Sequence, residues 1–275
     1  MSTLPANTSE RVIEEHYVQS RDSYLIYLMH VATYRFAEPY LAGAAVLDLG
    51  CGTGYGTAML AGKCTAICGV DISSEAIDYA RSRYSKQGVH FETIDKIEGG
   101  SRLHFRDGSF DAVISFQVIE HVADVPSYLA EVVRLLKPGG RFICATPDRA
   151  TRLLPLQRPW NLYHLKEYSN TQFAALFASR FADVEVMQMS GSRNVIDIEL
   201  KRTAMVRWLT LPFTFPLAPE WLRSSGLALM KRVQAKSGPK SAPAGPFDFD
   251  ESNLHIGKDL APSLNLIAVM RKPAA

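Results

Sequence analysis

The run Val46-Leu47-Asp48-Leu49-Gly50-Cys51-Gly52-Thr53-Gly54-Tyr55-Gly56 carries the densest chemical signal in this chain of 275 residues. A short apolar stretch of strand character leads straight into a turn with glycines at 50, 52, 54 and 56. Glycine lets the backbone turn tightly and approach a ligand with no Cβ in the way. Ligands of open α/β sheets bind beyond the carboxyl ends of the strands, where such a loop lies. A dinucleotide fingerprint would need glycine at 50, 52 and 55, but position 55 is Tyr55. Asp71 ends the next apolar run, in Val70-Asp71-Ile72-Ser73. A carboxylate there accepts hydrogen bonds from a ribose diol. Further on, Gln117-Val118-Ile119-Glu120-His121 and Asn161-Leu162-Tyr163-His164 offer a carboxylate and two imidazoles. Such groups act as general bases or, gathered together, as ligands of a divalent cation.

A scaffold must bring these residues to one edge, and the hydropathy rhythm supplies it. From residue 44, short apolar runs alternate with amphipathic stretches, the pattern of parallel β/α units. Strands are expected at 44–49, 65–70, 89–94, 111–116, 141–146, 181–189 and 264–271. Helices are expected at 57–62, 74–86, 125–136 and 170–179, and residues 10–35 carry a helical spacing ahead of the first strand. Lys137-Pro138-Gly139-Gly140 stops the helix expected over 125–136, since proline cannot continue a helix and glycine permits the turn. The expected fold is α/β: a Rossmann-like, seven-stranded, mostly parallel sheet with helices on both faces, an N-terminal helical segment and an inserted lobe. Its parts are a helical segment over 1–43, a cofactor-binding core over 44–194, the lobe and a loop over 195–262, and a last strand and tail over 263–275.

The resemblances name the cofactor. The pattern around Asp48, Gly50, Gly52 and Gly54 resembles motif I of class I S-adenosylmethionine-dependent methyltransferases. Arg106-Asp107-Gly108-Ser109-Phe110-Asp111 and Leu136-Lys137-Pro138-Gly139-Gly140 resemble the family's fourth-strand motif and the turn after its following helix. This likeness implies that the backbone from Gly50 to Gly54, Cys51 included, cradles the methionine part of S-adenosylmethionine, with Asp48 orienting its ammonium group. It places Asp71 and Ile72 at the ribose, Asp95 at the adenine amino group, and Gln117 beside the cofactor.

The acceptor side carries weaker likenesses. His30-x-x-x-Tyr34-Arg35-Phe36-Ala37, residues 161–169 and Leu264-Asn265-Leu266-Ile267 resemble methyltransferases associated with bacterial glycan assembly. Gln117-x-x-Glu120-His121 resembles an E-x-x-E-H element of ubiquinone-pathway and small-RNA O-methyltransferases, which with a later histidine can bind a divalent cation such as Mg²⁺. Here Gln117 replaces the first carboxylate. His121, His164 and Glu120 are therefore the candidate catalytic residues, and the same three with Gln117 are the candidate metal ligands. The implied activity is methylation of a hydroxyl on a sugar or glycan. The alternatives are a quinone precursor, a lipid or another small acceptor, and, in another class, a non-catalytic cofactor-binding protein.

Composition bounds these readings. Hydrophobic residues make up 47% and charged residues 21% of the chain, a globular balance with a sizeable core. A net charge of +2 argues against a nucleic-acid partner. Cys51, Cys64, Cys68 and Cys144 form no CxxC pair and read as reduced thiols of a cytoplasmic protein. No stretch has the form of a signal peptide or the ~20 apolar residues of a membrane span. One segment departs from this evenness. Residues 201–240 hold eight basic residues and one acid, Glu220, a net +7, interleaved with Trp208, Phe213, Phe215 and Trp221. Basic residues beside large apolar ones suit an anionic membrane surface, here the inner one, or a lipid-linked acceptor. A lid over the domain is the alternative. Pro212, Pro216 and Pro219 argue against one long helix there, and residues 237–246, with three prolines and two glycines, read as a loop.

Overall fold

The computed structural model describes residues 20–236 and 247–274. Among the described residues, eight strands form one sheet: β1 (Ala45–Leu49), β2 (Ala66–Asp71), β3 (His90–Thr93), β4 (Phe110–Phe116), β5 (Leu136–Pro147), β6 (Ala182–Gly191), β7 (Leu254–Gly257) and β8 (Asn265–Arg271). Their order is β3-β2-β1-β4-β5-β8-β6-β7. The first five in that order run parallel, β8 is antiparallel to both β5 and β6, and β7 adds antiparallel to β6.

The sheet thus has eight strands and is mixed, where seven mostly parallel ones are expected from sequence. The extra strand, β7, lies within 195–262. Four residues are too few for a period-two pattern to stand out, and β7 exists through its pairing with β6. The direction of β8 is likewise set by its neighbours, because hydropathy does not encode strand polarity.

The helices are α1 (Arg21–Leu41), α2 (Tyr55–Met59), α3 (Ser74–Tyr84), α4 (Val125–Leu135), α5 (Arg149–Arg152), α6 (Asn170–Phe177), α7 (Arg193–Thr214) and α8 (Glu220–Lys236). Both faces of the sheet are covered. Val46 packs into one core with Leu25, Tyr34, Ile77 and Ala80. Leu47 and Leu49 pack into the other, with Leu129, Val132, Phe173 and Phe177. This alternation along β1 sends Asp48 to the α1 side, fully buried.

Of the helix expected over 10–35, residues 10–19 lie outside the described residues, and α1 runs on to Leu41. The first core helix starts at Tyr55, two residues early, because Gly54 adopts a left-handed φ of 79° and ends the turn there. The segment expected to resist forming one long helix folds as two, α7 and α8, with Pro212 inside the last turn of α7. The expected loop over 237–246 lies outside the described residues.

Candidate active site

The carboxyl ends of β1, β2 and β4 open onto a cavity of about 700 Å³. Beyond β1 the chain turns through Gly50, Gly52 and Gly54 with φ of 89°, 55° and 79°. The amides of Gly50 and Cys51 both donate to the Val70 carbonyl, at 2.7 and 2.9 Å, which ties the loop to β2. A Cβ at Gly50 would collide with Val118, and one at Gly54 would fall 2.6–2.8 Å from Phe91 and Ala80. Gly52 differs: nothing lies within 4 Å of the Cβ position, so its surroundings stay open. Gly50, Cys51, Gly52 and Thr53 line the cavity. Gly54 instead packs inward and starts α2.

Asp71, at the end of β2, braces this loop. One carboxylate oxygen accepts the Gly52 amide at 3.0 Å and the other the Ser73 amide at 2.9 Å. Ile72, 53% exposed, and the exposed Asp95 lie farther along the same wall. Gln117 faces them from beyond β4. Its φ of 58° is rare for a residue with a Cβ, and its amide is anchored on the Ala145 carbonyl at 2.9 Å. Strained backbone of this kind gathers at ligand sites.

Asp48 lies behind the loop rather than on the cavity wall. Its Oδ2 accepts from the Tyr34 hydroxyl at 3.1 Å and the Thr57 hydroxyl at 2.6 Å. Its Oδ1 is buried with no hydrogen-bond partner. Burial pushes the carboxyl up to about 7, against the pull of the Thr57 and Tyr34 hydrogen bonds, and the nearby Asp71 charge adds to the rise. Tyr34 belongs to α1, and its ring occupies the space that a Cβ at Gly56 would need. His30, one turn earlier on α1, also lines the cavity. Burial holds its imidazole down to about 4, so it is neutral at pH 7. The sequence marks the His30–Tyr34 pair by its place in a helical spacing and by a likeness, and assigns it no role at the site. Its four-residue spacing, which puts both on one helical face, is the signal that could have placed them at the site.

Across the cavity stands the candidate catalytic group. His121 lies in a single 3₁₀ turn, Ile119–His121, just past β4. Its Nδ1 sits 3.0 Å from the Tyr163 carbonyl. A carbonyl only accepts, so Nδ1 carries a proton, and in the neutral ring the lone pair is then on Nε2. The His164 ring meets it edge to face, with centroids 4.8 Å apart. His164 Nδ1 in turn donates to Glu167 at 2.8 Å, and Arg152 pairs with the other Glu167 oxygen at 3.0 Å. Burial pushes the Glu167 carboxyl up, but the Arg152 charge and the His164 hydrogen bond outweigh it and hold it down to about 2. Trp160 lies over the Arg152 guanidinium at 4.2 Å. Glu120 is buried; its Oε2 accepts from Thr146 at 3.0 Å, while Oε1 has no partner. Ligand atoms of Glu120, His121 and His164 all lie within 4.8 Å of one another. Of the three, His121 lines the cavity, together with Leu162, Tyr163 and Leu165; Glu120 and His164 stand behind it. Tyr163 and Glu167 fall within the 161–169 likeness, which gives them no supporting role, and Arg152 lies outside every motif.

Comparison with known proteins accords with this geometry. The profile of the methyltransferase domain family matches residues 47–144. A probable S-adenosylmethionine-dependent methyltransferase of Mycolicibacterium smegmatis is 31% identical over 188 residues, which span 67% of this chain and 67% of that protein. A ubiquinone biosynthesis O-methyltransferase of a Chelativorans species is 32% identical over 122 residues, 44% of this chain and 47% of its own length. Among solved structures, an S-adenosylmethionine-dependent methyltransferase of Thermotoga maritima, described as a possible histamine N-methyltransferase, superposes with a TM-score of 0.56. Its identity is 16%, and the match covers 92% of this chain and 93% of that one.

Proposed function

Because the chain belongs to the S-adenosylmethionine-dependent methyltransferases, we propose that it methylates a hydroxyl oxygen of a sugar or glycan. The observation that carries this reading is His121 on the cavity wall, with its Nδ1–H held by the Tyr163 carbonyl, which makes Nε2 the basic nitrogen of the neutral ring. The residues opposite fit the cofactor: the Gly52 surroundings are open, Asp71 on the wall is braced by the Gly52 amide and would meet the ribose, and behind the loop Asp48 Oδ1 is an unpartnered buried acceptor. When bound, S-adenosylmethionine would supply a methyl group on a sulfonium, whose sulfur leaves readily as a neutral thioether.

The chain's own residues then have two tasks. The loop and the facing wall hold donor and acceptor in line, which matters more than activation for such a displacement. His121 Nε2 takes the acceptor's proton. An alcohol ionises far above neutral pH, so it needs this help where a phenol needs little. His164, held by Glu167 and through it by Arg152, packs its ring against His121 and orients it.

A divalent cation is a second route to the same end, favoured by the orphaned Glu120 Oε1. Glu120, His121 and His164 would hold it, and it would acidify a bound hydroxyl. Two imidazoles and one carboxylate suit Mn²⁺ better than Mg²⁺, which prefers oxygen donors. For the acceptor, a quinone precursor or lipid is the second reading, favoured by apolar Ile97, Leu162 and Leu165 on the cavity wall and by the similarity to the ubiquinone-pathway enzyme. Transfer of labelled methyl to a panel of sugars, phenols and amines separates these. Turnover of phenols or amines alone would overturn the sugar assignment.

A further inference from the structure

The α7–α8 pair is built with its amphipathicity reversed. The α7 residues turned into the protein are Val195, Glu199, Thr203, Thr210 and Thr214. The threonine hydroxyls there are satisfied within the helix, by the carbonyls of Glu199, Val206 and Thr210 at 2.8–2.9 Å. The residues turned outward are Lys201, Met205, Trp208, Leu209 and Pro212, at helical spacings of three and four. The connection and α8 continue the stripe with Phe215, Leu217, Trp221 and Leu229, from 51% to 85% exposed. Single exposed apolar side chains are ordinary, but so many along one stretch of chain, with two of the chain's three tryptophans among them, mark an interaction surface.

Charge selects the occupant. The one acid between 201 and 236, Glu220, is held by Arg158 at 2.9 Å and Arg223 at 2.8 Å. Lys201 and Arg232 are exposed beside the apolar row. A cationic margin around Trp, Leu and Phe matches a bilayer with anionic headgroups: the rings enter the interface and the cations meet phosphate. No helix among the described residues is long and apolar enough to cross a membrane, so contact would be peripheral.

We infer that the α7–α8 pair docks this enzyme on an anionic lipid surface. Docking also reaches the cavity. The Arg223 guanidinium donates to the Pro159 and Asn161 carbonyls at 3.1 and 3.3 Å. The same loop continues into Leu162, Tyr163 and His164, so the lipid-facing element and the acceptor wall are one tied unit. The inference does not depend on which hydroxyl is methylated.

The test is co-sedimentation of the full chain with vesicles of equimolar phosphatidylcholine and phosphatidylglycerol, against phosphatidylcholine alone. Binding is expected to the anionic vesicles, to weaken as salt rises, and to blue-shift tryptophan emission. Replacing Trp208 and Trp221 together by Ser should weaken partitioning by roughly tenfold or more. The remaining Trp160 should then show no shift. Both changes lie on the solvent side of the helices, so thermal unfolding and S-adenosylmethionine binding should match the parent and rule out misfolding. Lys201→Glu with Arg232→Glu should flatten the salt dependence. Equal, negligible sedimentation with both vesicle types overturns the inference. So does vesicle binding unchanged in the tryptophan variant. So does a concentration-dependent dimer, lost in that variant, without vesicle binding, which assigns the face to a second copy of the chain.

Discussion

The two walls of the cavity are made by different means. On the donor wall the work falls to backbone: the Gly50 and Cys51 amides on Val70, the Gly52 amide on Asp71, and a φ sequence that side chains disfavour. All of it comes from the ends of two neighbouring strands. On the acceptor wall it falls to side chains gathered from afar. His121 follows β4, while His164 and Glu167 come from a loop some forty residues later, clamped by Arg152 of α5. A backbone cradle suits a ligand that is the same for every enzyme using it. A wall of side chains on a loop can be re-specified without disturbing the sheet. Each wall should therefore fail in its own way when damaged.

The largest effect is expected on the acceptor wall. His121→Ala should lower the methyl-transfer rate by roughly 10²–10⁴-fold, the range of a general base. Calorimetric affinity for S-adenosylmethionine should stay close to the parent value. Loss of both together would erase the division between the walls, and near-normal turnover would place acceptor activation elsewhere. Chelation sharpens the same experiment. If His121 acts alone, prolonged treatment with a chelator should leave the rate unchanged. Activity lost on chelation and restored by Mn²⁺ would assign the Glu120–His121–His164 group to a cation, and Glu120→Gln should then be as severe as His121→Ala.

The donor wall should show the mirror image, with a smaller effect. Asp71→Ala removes the carboxylate proposed to meet the ribose and the brace on the Gly52 amide. A hydrogen bond of that kind contributes about 1.5–3 kcal/mol, so affinity should fall roughly tenfold to 150-fold. The rate at saturating cofactor should change far less. Unchanged affinity by calorimetry would remove Asp71 from the site.

The same division governs what can be read before folding. The glycine pattern and Asp71 are local: strand, turn and helix follow one another in the chain, so spacing alone places them at one sheet edge. Even there, sequence does not tell that Gly54 and Asp48 face the interior, because that depends on Phe91, Ala80 and Tyr34 arriving from other elements. On the acceptor wall His121 and His164 could be named as chemically able. Their mutual packing, and the Glu167–Arg152 support, arise from tertiary contacts with no fixed spacing. Strand β7 is illegible for the same reason, since four residues take their strand geometry from a partner. The basic, aromatic character of 201–240 was visible, but the reversal of α7, with threonines inside and Trp208 outside, required the helix to be docked.

The smallest effect concerns the residue behind both descriptions, Asp48. Burial lifts its carboxyl from 3.8 to about 7 in the folded chain. As pH rises from acid, the unfolded chain releases this proton first. Between about 4 and about 7 the folded state therefore holds more protons than the unfolded state, and this residue's contribution to stability falls as pH climbs through that window. Asp48→Asn keeps the size and removes the titration, so its thermal unfolding should lose that part of the pH slope. Binding couples to the same proton. An ammonium group near Oδ1 favours the ionised carboxylate, so cofactor binding at pH 6.5 should release protons. Affinity should then rise severalfold, and less than tenfold, from pH 6 to pH 7. Calorimetry in two buffers of different ionisation enthalpy measures the release directly. Equal apparent enthalpies in both buffers, with a pH slope identical in Asp48→Asn, would mean that the cofactor's charge never reaches this carboxyl. The donor wall would then rest on backbone and Asp71 alone.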